Sequence, residues 1–452
     1  MTSIFQSLKE RLLSCASVPG DAWKEIGWVV AGQVAAIAGS VAALKVLTMI
    51  LSPAVYGEVN LVVISCTLPT LVLLAPLTQS CYRFYAEHDE RGTLPALLGT
   101  TVALQLGIVV VVGLGVAISL LLGDARRLGV SPSTVGWGFV LFATDSGRNL
   151  CLTVAAAARR RTIVAAGFAA DAWLRPLGAV AFALLDTRGS APVLAGFAAA
   201  GICSLVPLSI WLARNSAGFR FERKIVGDVA RYGLPYGLWG IFGWAQAGAD
   251  RYMVYHWLTR ADVGRYVAAS QVGAFPFSIA GAFVGQLVSP ILFRRAGDGT
   301  DPRRVESAKK LLLAVLGLFL LFGIAAMALL WLAGPALLRL MTGGGEYSIS
   351  RAVLITVSAG GLLFQMAQVC SSMFLIQKKS ALVLWPKILG GITAVAAGVL
   401  IIPAWGLAGA ALTALCASAA LLAGHWLGPA RQAWRAGIAE SGLHPDEKTA
   451  GA

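Results

Sequence analysis

Residues Ala249 to Gly264 read ADRYMVYHWLTRADVG. The stretch sets a charged pair, Asp250 and Arg251, in the outer part of an apolar helix, then the short turn LTRADVG from Leu258 to Gly264. The same turn occurs earlier as LSPAVYG, Leu51 to Gly57, with Leu, Ser or Thr, Ala and Gly at matching places. The offset is 207 residues (258 − 51). Each turn follows one long apolar helix and precedes another. A repeat of that size in a chain of 452 residues predicts two similar halves.

Composition sets the solvent. Charged residues make up 13% of the chain, about half the share of a soluble domain, and the mean hydropathy is +0.75. Apolar segments run from end to end and leave no room for a soluble domain. Lipid forces each segment to close its backbone hydrogen bonds internally, so the segments are helices of roughly 20 residues. The expected fold is an all-α polytopic membrane protein: twelve transmembrane helices in two pseudo-symmetric six-helix lobes around a central cavity. The spans fall at roughly 26–50, 57–79, 96–122, 134–157, 162–185 and 192–213 in the first half. In the second they fall at roughly 230–258, 264–293, 311–332, 352–376, 381–402 and 407–427. The expected domains are an interfacial N-terminal segment at 1–25, an N-lobe at 26–213, a basic linker at 214–228, a C-lobe at 229–428 and a tail at 429–452. The first segment spaces Ile4, Phe5, Leu8 and Leu12 as an amphipathic helix does.

The net charge of +14 does not point to nucleic acid, because the cations lie in short clusters between spans. Arg83, Arg91, Arg159 to Arg161, Arg214, Arg220, Arg223, Lys224, Arg294, Arg295, Arg303, Arg304, Lys309, Lys310, Lys378, Lys379, Arg431 and Arg435 share one side. The other side holds only Arg126, Arg127, Arg188, Arg260 and Arg339 in its loops. The positive-inside rule makes the basic side cytoplasmic and places both termini there. Trp137, Trp257, Trp331 and Trp405 mark the outer boundary, and Trp28, Trp211 and Trp426 the inner one. The seven cysteines are odd in number and form no metal-like CxxC; Cys66, Cys203, Cys370 and Cys416 read as small buried hydrophobes.

Charge inside the membrane is the functional signal. Asp145, Arg148 and Asn149 lie in the fourth span, Asp171 and Arg175 in the fifth, all near mid-membrane. Four such charges facing lipid would cost on the order of 10 kcal/mol, so they should face protein or water. Asp145 and Arg148 are three apart, Asp171 and Arg175 four apart, so local pairing is one reading. The other is that Arg148 and Arg175 line a cationic cavity and bind phosphate oxygens, with Asp145 and Asp171 holding them or carrying a coupling proton. Lys45 on the first span and Arg251 on the seventh stand almost at repeat-equivalent places, one residue out of register, and both are candidate phosphate ligands beside Asp250. Lys45 can equally snorkel to headgroups, as can Lys387 on the eleventh span. Pro69 and Pro76 in the second span, Pro235 in the seventh and Pro276 and Pro290 in the eighth interrupt their helices; Pro69, Pro76, Pro235 and Pro276 are the candidate hinges. Gln365, Gln368 and Ser372 form a polar stripe on the tenth span that reads as a bond to a neighbouring helix. Gly233-x-x-x-Gly237 and Gly281-x-x-x-Gly285 permit close helix contact. The four histidines are scattered without metal-ligand spacing, there is no P-loop, and no cofactor is expected.

Three motifs together carry a resemblance: LSPAVYGEVNL at Leu51 to Leu61, ADRYMVYHWLTRADVGRYVAASQ at Ala249 to Gln271, and IIPAWGLAGAALTAL at Ile401 to Leu415. In order and topology the chain resembles the polysaccharide (O-antigen type) flippases of the multidrug/oligosaccharidyl-lipid/polysaccharide (MOP) exporter superfamily. The resemblance implies two lobes around a cavity lined mainly by the first, second, seventh and eighth helices. It also implies a polyprenyl-diphosphate-linked oligosaccharide flipped across the bacterial inner membrane by alternating access. H+ or Na+ antiport through Asp145, Asp171 or Asp250 is a separate expectation, and a polysaccharide polymerase and glycosyltransferases are the expected partners. Family members often carry Arg just before the LSP turn; here Thr48-Met49-Ile50 stand there. Two other classes compete. A cation-coupled multidrug antiporter of the same superfamily would want an acidic cavity without spare cations. A polysaccharide polymerase would want a large outward loop with catalytic groups, and the outward loops here are short.

Overall fold

The computed structural model describes residues 20–123, 130–186, 189–216, 218–297, 301–377 and 379–428. Most of the N-terminal interfacial segment, the C-terminal tail, and Arg126, Arg127, Arg188, Lys378, Arg431 and Arg435 lie outside them. Among the described residues twelve long helices follow in order: α1 (Gly20–Ile50), α2 (Pro53–Glu90), α3 (Leu94–Leu121), α4 (Pro132–Ala157), α5 (Arg161–Ala183) and α6 (Ser190–Asn215). The second six are α7 (Arg223–Trp257), α8 (260–296), α9 (Pro302–Met341), α10 (Arg351–Ile376), α11 (384–405) and α12 (407–424). Gly406, at φ 55, breaks the last pair of helices apart at a conformation that only glycine adopts without strain. By length and composition, every stretch except α4, α7 and α8 is apolar enough to cross a membrane. Those three carry Asp145 with Arg148, Asp250 with Arg251, and Ser270 with Gln271, so their low hydropathy reports polar inner faces and not a soluble location. The chain is a multi-pass membrane protein.

Several helices outrun the spans expected from apolarity. α2 continues to Glu90, and α9 covers Pro302–Met341. Their extra turns carry Arg83, Glu87 and His88, and Arg303 to Lys310, which hydropathy reads as loop. The linker is correspondingly short, because α6 ends at Asn215 and α7 starts at Arg223. It is pinned to α3: Arg220 N–H donates to Pro95 O at 3.0 Å and Glu222 N–H to Thr100 Oγ1 at 2.9 Å.

Helices in lipid gain little from apolar burial, so close van der Waals approach must hold them together. Small residues make the seams. Gly32 and Gly39 on α1 lie against Ala165 and Ala172 of α5, and Trp173 Nε1 donates to Ala35 O at 3.1 Å. Gly178 of α5 and Gly196 of α6 approach each other backbone to backbone. Between the halves, Gly233 and Gly237 of α7 meet Pro76 and Val72 of α2, as the spacing predicts. Gly281 meets Gln365, whereas Gly285 has open space. Cys370 is buried but Cys203 is exposed, so the cysteines are not uniformly interior.

The repeat is visible at the end of the bundle bearing the 51–52 and 258–259 turns, here called the turn end; the opposite end is the basic end. Ser52 and Thr259, 207 apart, are both helix N-caps, accepting from Val55 N–H and Asp262 N–H. Gly57 rests on the carbonyl of Arg260, and Gly264 on the carbonyl of Pro53. Since 53 + 207 is 260 and 57 + 207 is 264, each half presents equivalent positions to the other. This is a self-complementary contact, as a two-fold axis would make.

Candidate functional site

A cavity of about 880 Å³ lies beneath that crossing. Its wall includes Ser40 and Leu44 of α1, Asn60 and Thr67 of α2, Asp145 and Arg148 of α4, Asp171 and Arg175 of α5, Arg251 of α7, and Ser270, Gln271 and Phe275 of α8. Both halves thus contribute. The expected lining by the first, second, seventh and eighth helices is incomplete: α4 and α5 bring four of the five charges, and α7 brings Arg251.

The charges on α4 and α5 form one crossed cluster. Arg175 binds Asp145 across the helix gap and Asp171 on its own helix, Nε to Oδ1 at 2.8 Å. Arg148 Nε lies 3.4 Å from Asp171 Oδ1 and 3.9 Å from Asp145 Oδ1. Local pairing and cavity lining, posed as rivals by the sequence, therefore hold together. Arg148 is 6% exposed, yet its Nε and Nη1 have no hydrogen-bond partner among the described residues. The Arg148 guanidinium is therefore held by charge attraction to the two carboxylates and leaves hydrogen-bonding capacity unused inside the cluster.

Asp250 does not line the cavity. It is taken by Tyr266 Oη, which donates at 2.6 Å, and by the Arg251 backbone N–H at 2.8 Å. Among the described residues, the Arg251 guanidinium has no ion-pair or hydrogen-bond partner. Among the described residues the cavity wall therefore carries three guanidiniums against two carboxylates.

Lys45 stands apart from the cavity. Its ammonium donates to Thr342 O at 2.6 Å and to Arg339 O at 3.5 Å, at the C-terminal end of α9. A cation there meets the negative end of the helix dipole. The one-residue slip between Lys45 and the Arg251 register explains the difference, because one residue turns a helical side chain by about 100°. Arg251 points into the cavity and Lys45 ties the two halves. Lys45→Met is expected to loosen the turn end, raising the labelling of an Asn60→Cys probe by an impermeant thiol reagent about tenfold. A hydrogen bond to a charged group is worth about 1.5–3 kcal/mol. Unchanged labelling would mean that the tie does not hold the halves together.

Lys387 does not snorkel. It is 6% exposed, donates to Gln368 Oε1 at 3.2 Å, and lies over the rings of Trp239 and Phe364. The polar stripe on α10 thus does bond to a neighbouring helix, through Gln368.

The turn end closes the cavity on one side. Glu58 holds Arg260 Nη1 at 3.1 Å and accepts from Ser190 Oγ at 2.9 Å. Tyr56 Oη donates to Gln271 at 3.0 Å, and Tyr347 Oη donates to Leu51 O at 2.7 Å. Toward the basic end the space continues. A groove of about 440 Å³ between α2, α4 and α5 shares Phe168 with the cavity and reaches Tyr82, Ala156 and Val164 near the helix ends. Of the groove side chains the sequence reading singled out Asn149; it missed the others, with Asn60 and Gln271, which are uncharged and give no signal in an apolar chain.

The candidate hinges sit beside breaks in the helical ladder. Pro69 precedes a π turn at Thr70–Leu74, and Pro76 follows it. In α8, Pro276 precedes a second π turn at Val284–Val288. Such wide turns give up regular i→i−4 bonds and often occur at functional positions. Pro235 lies inside α7.

No family model and no curated protein matches the sequence. Solved structures do match in fold. An inward-facing multidrug resistance MATE family transporter of the MOP superfamily superposes with a TM-score of 0.67 at 15% identity, over 91% of this chain and 95% of the other. A lipid II flippase, MurJ, in an inward closed conformation gives 0.63 at 14%, over 91% and 90%. An outward-facing MATE family transporter gives 0.56 at 18%, over 92% and 96%. The chain has the two-lobed, twelve-helix fold of these transporters.

Proposed function

We propose that a chain with this fold and this cavity is a flippase of the MOP superfamily that carries a polyprenyl-diphosphate-linked oligosaccharide across the bacterial inner membrane by alternating access. The carrying observation is the cavity's surplus cation: Arg148, Arg175 and Arg251 against Asp145 and Asp171. One guanidinium about 4 Å from an anionic oxygen is worth about 4 kcal/mol at an effective dielectric near 20. Bringing a charge to mid-membrane costs about 2.5–3.5 kcal/mol, so the surplus offsets it for one anionic charge. In this reading Arg148 and Arg251 take the diphosphate, Arg175 holds the two acids in place, and Lys45 acts at the seal.

The basic end faces the cytoplasm with both termini, so cargo enters there and leaves past the turn end. A potential negative inside favours outward movement of an anion, by about 2.3 kcal/mol per charge per 100 mV. Pro69, Pro76, Pro235 and Pro276 are the bending points. H+ or Na+ coupling would work through Asp145, Asp171 or Asp250, each already engaged by a partner. A polysaccharide polymerase and glycosyltransferases would act on the same cargo.

The test is made in cells that depend on this chain for surface polysaccharide. Arg251→Ala is expected to accumulate lipid-linked repeat units on the cytoplasmic side, with surface polymer reduced at least tenfold. Normal surface polymer in Arg251→Ala, Arg148→Ala and the double variant would overturn the reading.

A further inference from the structure

We propose that the groove between α2, α4 and α5 is the glycan subsite, holding the sugars that extend from a diphosphate bound in the main cavity; this rests on the reading of the cavity given above. The groove measures about 440 Å³, within the usual size range of ligand pockets, and adjoins the cavity at Phe168. Asn149 stands next in sequence to Arg148, and Ser146 next to Asp145, so the two walls share one helix.

Its chemistry differs from that of the cavity. Among the described residues, no carboxylate, ammonium or guanidinium lines it. The hydroxyls of Thr70, Thr78, Ser146 and Thr153 spend their protons on helix carbonyls, at 2.7 to 3.2 Å. Their oxygens therefore remain as acceptors. Donors come from the carboxamides of Gln79 and Asn149, neither of which has a hydrogen-bond partner among the described residues. A sugar hydroxyl both donates and accepts, so it matches such a mixed wall. Phe168 and Tyr82 offer aromatic faces to the C–H side of a sugar ring. A second anion would find no cation here, and a lipid tail would leave the two carboxamides unpaired.

Purified full-length protein reconstituted in vesicles gives the test, using two probes: a polyprenyl diphosphate carrying one N-acetylhexosamine, and the same lipid carrying four sugars. The quantity read is the ratio of the four-sugar rate to the one-sugar rate. Gln79→Ala with Asn149→Ala is expected to lower that ratio about tenfold relative to wild type. Gln79→Ala alone, at an exposed position, is expected to lower it about threefold. An unchanged ratio in the double variant, with wild type moving both probes, overturns the subsite and leaves the cavity reading standing. Wild type moving neither probe overturns the cavity reading and the subsite with it.

Discussion

Arg175→Ala is expected to destabilise the purified protein by about 3–5 kcal/mol and to abolish export. Among the described residues, Arg175 is the one side chain hydrogen-bonded to both Asp145 and Asp171. Both carboxylates are largely shielded, with side-chain exposures of 24% and 18%. Removing the guanidinium leaves two like charges sharing Arg148 alone, and breaking a buried pair from one side carries that penalty. The double variant Arg175→Ala with Asp145→Asn removes one charge of each sign. It should recover most of the lost stability and part of the export, because Arg148 and Arg251 again outnumber the one remaining carboxylate on the cavity wall. Thermal unfolding in detergent reads the first effect and surface polymer the second. A single variant as stable as wild type would mean that the cluster is not the structural centre of the first half.

Gly264→Ala is expected to have the second-largest effect, on conformation. A methyl group at Gly264 would occupy the place of the Pro53 carbonyl, and one at Gly57 the place of the Arg260 carbonyl. Neither neighbour is a flexible side chain that can swing away. Overpacking costs about 1–3 kcal/mol, which shifts the balance between closed and open turn end about fivefold to 150-fold. With the seven native cysteines replaced, an Asn60→Cys probe on the cavity wall should react that much faster from the turn-end side. Transport should fall at least tenfold, while the unfolding midpoint moves less than in Arg175→Ala. Wild-type labelling and transport in Gly264→Ala would show that the crossing opens by some other route.

The two halves were readable from Leu51 to Gly57 and Leu258 to Gly264 because helix caps and close glycines impose residue types at fixed places. Ser52 with Thr259 and Gly57 with Gly264 are such constraints, and they survive in a chain otherwise free to vary among apolar residues. The charged cluster was readable because ionised groups in lipid need partners. The direction in which each charge points was not. Lys45 and Arg251 look equivalent in sequence, yet one residue of slip sends Lys45 to the end of α9 and Arg251 into the cavity. Lys387 reads as a side chain within reach of the headgroups, but Gln368, Trp239 and Phe364 hold it inside. Helix ends were hidden for a related reason: the last turns of α2 and the first of α9 are polar, and apolarity marks where lipid stops, not where the helix stops. The π turns at Thr70–Leu74 and Val284–Val288 have no composition of their own beyond the prolines near them.

The most direct measurement is binding of three lipids to the purified protein in detergent: a polyprenyl diphosphate, the matching neutral polyprenol, and a lipophilic organic cation. A cavity with three guanidiniums and two carboxylates should bind the diphosphate at least a hundredfold more tightly than the polyprenol and reject the cation. Added salt should weaken the diphosphate, and Arg251→Ala should remove most of its advantage. Equal affinity for diphosphate and polyprenol, or tightest binding of the cation, would contradict the account and favour a multidrug antiporter in its place.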